Sequence, residues 1–169
     1  MKKSFFTMVA VVMMAFAFHA EAATWNPFQH EGRVKAHTII LTGNYVKARI
    51  LAELAQYYTK QPVLLIAQDS DSSYQVYYLP NTSEARNYKA DEFMELVTFI
   101  NPKRVILLGG SDFVPQSFTD QVKAKYSLIS LDSSDWSKNA ASLGEILEIK
   151  RLQSQFDEYA RSVRMSEAE

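Results

Sequence analysis

Apolar positions in this chain fall into two alternating kinds of block. Thr38–Leu41, Val63–Ala67, Val105–Leu108 and Ser127–Leu131 are short runs of mostly consecutive apolar or β-branched residues. Such runs predict strands buried on both faces, as in a parallel sheet. The blocks between them carry a helical period. Val46, Ile50, Leu54 and Tyr57 recur one turn apart and predict a first helix with that stripe buried. Ala48, Ala52 and Ala55 flank the stripe and let the helix sit close to a sheet, and Gln61-Pro62 stops it. A second helix is predicted over about Ala90–Ile100, with Phe93, Leu96, Val97 and Ile100 inward and Asn101-Pro102 as its end. A third begins near Pro115, with Phe118, Val122 and Tyr126 inward.

Two segments fit less simply. Gln68–Lys89 is a polar insert in which Tyr74, Val76 and Tyr78, spaced by two, predict a short extra strand ended by Pro80-Asn81. From Lys138 to Arg164, Leu143, Ile146, Ile149, Leu152, Phe156, Tyr159 and Val163 recur at three- and four-residue intervals. They predict one long helix of about 40 Å at 1.5 Å per residue. Its second half outruns a small domain, so its stripe calls for cover from the chain's own N-terminal arm or from a second copy; a frayed amphipathic tail is the plainer alternative. Ser166–Glu169 reads as a disordered end. The order of elements predicts an α/β fold: an open, mainly parallel four-stranded sheet with helices on both faces and a long C-terminal helix.

The N-terminus reads as an address. Lys2 and Lys3 precede an apolar run from Phe5 to Phe18, and Ala20-Glu21-Ala22 is a small-x-small cleavage site. At about 14 residues the run falls short of the ~20 that span a bilayer. Residues 1–22 are therefore expected to be a Sec-type signal peptide, directing a periplasmic or secreted protein. Residues 23–37 form a polar arm, 38–147 the α/β domain and 148–169 the helical extension.

Composition narrows the chemistry. The chain has no cysteine, so it would enter an oxidising compartment without disulfides, thiol chemistry or a cysteine-held zinc. His30 and His37, the histidines left after cleavage, both precede the predicted core, which argues against a histidine metal cluster. The formal net charge of −1 is not a nucleic-acid footprint.

The polar turns carry the candidate site. Gly43-Asn44-Tyr45 and Gly109-Gly110-Ser111-Asp112 each follow a strand and precede a helix. If their strands are neighbours, both turns line one crevice at the topological switch point, where glycine lets backbone N–H groups approach a ligand. Gly43, Asn44, Tyr45, Gly109, Gly110 and Ser111 are thus candidate ligand-binding residues. The alternative is tight turns alone, with Ser111 and Asp112 as helix N-caps. Neither turn completes a dinucleotide fingerprint or a P-loop, so no cofactor is implied. Trp136 is a further candidate, as a binding platform or as a helix-start anchor. Tyr74, Tyr77, Tyr78 and Tyr88 either form a recognition surface over the crevice or pack on the domain edge.

These turns resemble the cell-wall-binding repeat type 2 family, in which the chain would be a single, divergent unit. The matching stretches are TIILTGNY (Thr38–Tyr45), ILAELA (Ile50–Ala55), PVLLI (Pro62–Ile66) and NPKRVILLGGSDFVPQSFTDQV (Asn101–Val122), within about Thr38–Leu147. The resemblance implies a Rossmann-like three-layer α/β/α unit and a non-catalytic role in holding an anionic wall polymer. The chain departs from the family where Val46-Lys47-Ala48 stands in place of an early aspartate. It departs again where Asp135-Trp136-Ser137-Lys138 stands in place of an Arg-Tyr-Thr-like helix start.

Asp69-Ser70-Asp71-Ser72-Ser73 resembles the Asp-x-Asp-x-Thr start of the haloacid-dehalogenase phosphatases. That likeness implies a magnesium-dependent hydrolase with Asp69 as nucleophile and Asp71 as acid/base. No lysine stands at a matching place, and Gln68 separates strand from aspartate. Asp and Ser also make ordinary solvated turns. The sequence therefore points to an exported, non-catalytic binding module for an envelope glycopolymer or envelope protein. The alternatives are an oligomerising scaffold working through the C-terminal helix, and the Asp69/Asp71 hydrolase.

Overall fold

Six strands form a single sheet in the order β4-β3-β2-β1-β5-β6. They are β1 (Thr38–Gly43), β2 (Val63–Gln68), β3 (Tyr74–Leu79), β4 (Arg86–Lys89), β5 (Arg104–Leu108) and β6 (Ser127–Leu131). The helices are α1 (Val46–Thr59), α2 (Phe93–Ile100), α3 (Gln116–Lys123), α4 (Trp136–Ile146) and α5 (Leu152–Ser166). The computed structural model describes residues 33–69, 71–81 and 84–166, with side chains as far as 163. The expected signal peptide, most of the arm with His30, Ser70, Thr82, Ser83 and the last three residues lie outside the described residues.

The predicted strands pair as parallel neighbours: β2 and β5 flank β1, and β6 adds to β5. The steps β1→β2 and β5→β6 run in opposite directions across the sheet. Crossovers share one hand, so α1 and α3 must lie on opposite faces. The core shows this division. Ile39 and Leu41 of β1, Leu64 and Ile66 of β2, and Val105 and Leu107 of β5 pack with α2 and α3. The alternate residues Ile40, Val63, Leu65, Ile106 and Leu108 pack with α1, α4 and α5. The strand period of two thus builds two cores from one set of consecutive apolar runs.

The first correction concerns the sheet, which has six strands and not four. Of the described residues of Gln68–Lys89, only Gln68 and Tyr74 reach the crevice. The segment folds into the antiparallel hairpin β3–β4, which extends the sheet edge beside β2. Tyr74, Tyr78 and Tyr88 pack against the α2/α3 core and Tyr77 against the opposite one. The predicted extra strand was half of this hairpin. Arg86 and Lys89 on outer strand β4 discourage edge-to-edge pairing.

The second correction is the stripe of α1. Ala48, Leu51, Ala52 and Ala55 are its buried residues, whereas Val46 and Tyr57 are exposed. The alanines are the contact face itself, because close approach of helix to sheet outweighs the larger stripe one residue away. Ile50 and Leu54 sit at its margin, half-buried against the same core.

The third correction is the C-terminal helix. It breaks after Ile146, where Glu148 and Arg151 take left-handed backbone angles (φ 57° and 67°), and resumes as α5. Leu152, Phe156 and Ala160 then lie buried with α1 and α4, while Tyr159 faces out. The buried part of the stripe is covered by the domain's own helices α1 and α4. Among the described residues, no helix is long and apolar enough to cross a membrane.

Candidate functional site

The switch point lies between β1 and β5, and it is closed. The Thr42 hydroxyl donates to the Leu108 carbonyl at 2.9 Å, tying the two strands at their carboxyl ends. Beyond that bond the turn after β5 folds back as one 3-10 turn, Gly110–Asp112, and drops Phe113 onto the strand ends. The Phe113 ring stands edge-on to Tyr45 (5.0 Å, 81°) and to Trp136 (5.1 Å, 78°). Three aromatics therefore fill the part of that space next to α4, while residues of both turns still line an open cleft beside them.

The glycines serve this closure. A Cβ on Gly43 would run into the Phe113 carbonyl oxygen. Gly109 has φ of +90°, and a Cβ there would lie 2.6 Å from the Phe113 ring and 3.1 Å from Trp136. At Gly110, with φ of +64°, an added Cβ would lie 2.9 Å from the Asp132 side chain. All three are buried. They permit tight backbone and ring packing beneath the site and do not line it. Ser111 and Asp112 do not cap α3 either, since its N-cap position is Pro115.

An open cleft of about 380 Å³ lies to the β2 side of this plug. Asn44, Tyr45 and Ser111 line it, as the sequence suggested, together with Gln68, Tyr74 and Asp112. Asn44 is held by its backbone N–H, which donates to the Ile66 carbonyl at 2.9 Å. Gln68 and Tyr74 are paired across β2 and β3, so the hairpin delivers both to the rim. Tyr45 is half exposed, and Tyr74 is braced edge-on against buried Phe118 (5.7 Å, 81°).

Trp136 belongs elsewhere. It opens α4, whose first turn is capped by Asp135, the Ser137 N–H donating to the Asp135 Oδ1 at 3.0 Å. It lines a second depression of about 470 Å³ with Lys47, Asp157 and Arg161. Buried Asn139 secures the approach to α4: its Nδ2 donates to the Ser133 carbonyl and its Oδ1 accepts from the Ser133 N–H. Trp136 is an anchor for Phe113 on one side and a half-exposed wall on the other.

Asp69 and Asp71 sit in the β2–β3 hairpin turn. The Asp69 N–H donates to the Ser73 carbonyl at 2.8 Å, and the Ser73 N–H donates to the Asp71 carboxylate at 3.0 Å. Hydrogen bonds from Ser73 hold the Asp71 carboxyl below its ordinary value of 3.8. A proton donor in catalysis needs the opposite shift. Among the described residues, no group of three His, Asp or Glu is placed to hold a metal.

Sequence reasoning missed Phe113 as the plug and Gln68 as part of the rim. A signal existed for the first: Phe113 is the lone aromatic in the turn Gly109–Phe113. For Gln68 there was none, because its place depends on a hairpin partner. A comparison of the chain with protein families, with curated proteins and with solved structures finds no match.

Proposed function

We propose that this chain is an exported, non-catalytic binding module of the cell envelope. It uses a Rossmann-like three-layer unit to hold an envelope glycopolymer or envelope protein. The observation that carries this reading is the open cleft at the carboxyl ends of β1 and β2, rimmed by amide, hydroxyl and tyrosine groups. In parallel α/β sheets this end of the strands is where ligands bind. Small pockets with a few convergent polar groups are the usual form of such sites. Export is supported by the basic, apolar and small-residue pattern of residues 1–22.

The test is retention of envelope material. Immobilised protein is incubated with fractionated envelope polymers and envelope proteins, beside a Tyr45→Ala, Asn44→Ala double variant. Retention of one fraction by the native chain, lost in the variant, supports the module. Equal retention by both, or none by either, removes it.

A further inference from the structure

We propose that the cleft takes a hydroxyl-rich saccharide without acidic groups, and that it disfavours phosphate- or carboxylate-bearing polymers. This deepens the binding-module reading and rests on it. Charge is the first argument. Among the described residues of the lining, Asp112 carries the single formal charge, and no lysine, arginine or histidine is present. The nearest cation in sequence, Lys47 on the first turn of α1, lines the other depression. A phosphate entering the cleft would meet an exposed carboxylate and no compensating cation.

The donors and acceptors match sugar hydroxyls. Asn44 and Gln68 each bring a carboxamide that donates and accepts, Ser111 brings a hydroxyl that does both, and Asp112 accepts. Such groups serve a ligand whose every hydroxyl is itself donor and acceptor.

The aromatic groups supply the remainder. Tyr45 and Tyr74 present an apolar body and a polar tip on the same rim, which suits the apolar face of a pyranose ring. Both rings are braced edge-on by phenylalanines, Phe113 at 5.0 Å and Phe118 at 5.7 Å. Braced side chains lose less freedom when a ligand arrives. At about 380 Å³ the cleft admits a short saccharide segment.

Calorimetric titration tests the inference with four oligomers: an N-acetylglucosamine trisaccharide, a glucosamine trisaccharide, a galacturonic acid trisaccharide and a glycerol-phosphate oligomer. The expected result is binding of one or both of the first two and of neither acidic one. The N-acetyl and amino arms separate a neutral from a cationic sugar. Tyr45→Ala should lower affinity at least tenfold and Tyr45→Phe should restore most of it. Asp112→Asn should reduce the discrimination against the acidic oligomers. Tighter, salt-sensitive binding of an acidic oligomer overturns the inference and leaves the module standing. Binding of none of the four overturns the inference as well; retention of an envelope fraction then decides the module independently.

Discussion

Phe113 and Trp136 meet edge to face at 5.1 Å, and this contact joins the turn after β5 to the first turn of α4. Phe113 also abuts Tyr45, so one ring links three loops at the strand ends. Phe113→Ala should cost about 2–3 kcal/mol, less than a fully buried phenylalanine because the ring is half-buried. Trp136 emission should shift to the red as water reaches the indole. The measurement is urea unfolding followed by fluorescence, in a Trp25→Phe background that leaves Trp136 as the single reporter.

Gly109 combines a left-handed backbone with two ring contacts. Gly109→Ala adds both backbone strain and a clash, and should destabilise by about 1–3 kcal/mol. If Gly109 instead lined an open crevice, the clash would be absent and the cost confined to its backbone angle. A second change, Phe113→Ala on top of Gly109→Ala, separates the two. Removing the ring should recover part of the Gly109→Ala loss, read as non-additive unfolding free energies.

Phe156 is 2% exposed and sits with Leu152 and Ala160 against α1 and α4. Phe156→Ala should lower stability by about 3–4 kcal/mol in denaturant unfolding. A frayed tail would show almost no loss. A stripe serving only a second copy would show its loss as dissociation in sedimentation, not as unfolding of the same species.

Burial holds the Tyr78 hydroxyl above its ordinary value of 10.0, with Tyr88 adding to the effect and Arg86 opposing it. The folded state therefore favours the neutral phenol. The stability it contributes is present below the unfolded value and is lost as pH rises through the folded one. Tyr78→Phe has no proton to lose, so its alkaline limb should fall less steeply. Melting temperatures measured between about pH 9 and 11 check this, and parallel curves for the two proteins count against it.

The sheet was legible where burial on both faces left no alternative. Ile39–Leu41, Val63–Ile66 and Val105–Leu108 serve both cores at once, and only a covered strand can do so. The break before α5 was not read, because its one glycine, Gly144, lies inside the last turn of α4, where its carbonyl accepts the Ile149 N–H that closes the turn. Glu148 and Arg151 take left-handed angles that their residue types rarely choose. The apolar spacing runs straight through the break, so period alone reads one helix. On α1 the period was right and the phase wrong: alanine scores poorly as core until a sheet is known to lie against it. At the site, Asn44, Tyr45 and Ser111 were legible from strand–turn–helix order. Partial filling of the crevice by Phe113 was not, since it depends on how a side chain turns once the strand ends are in place.

The bond from Thr42 to Leu108 spans 66 residues of chain, and it marks the seam along which two halves of the sheet meet. On one side β1 pairs with β2 after a single helix; on the other it waits for β5. Closing so long a loop costs entropy before any pairing rewards it, and of the two pairings of β1 this one carries the larger cost. A chain emerging from its N-terminus can assemble β1 to β4 early, but β1 keeps one bare edge until Leu108 has appeared. Every group that shapes the cleft from the β5 side arrives after that moment. The cleft therefore gains its β5-side wall only once β1 has its second neighbour, and before β6 completes the sheet.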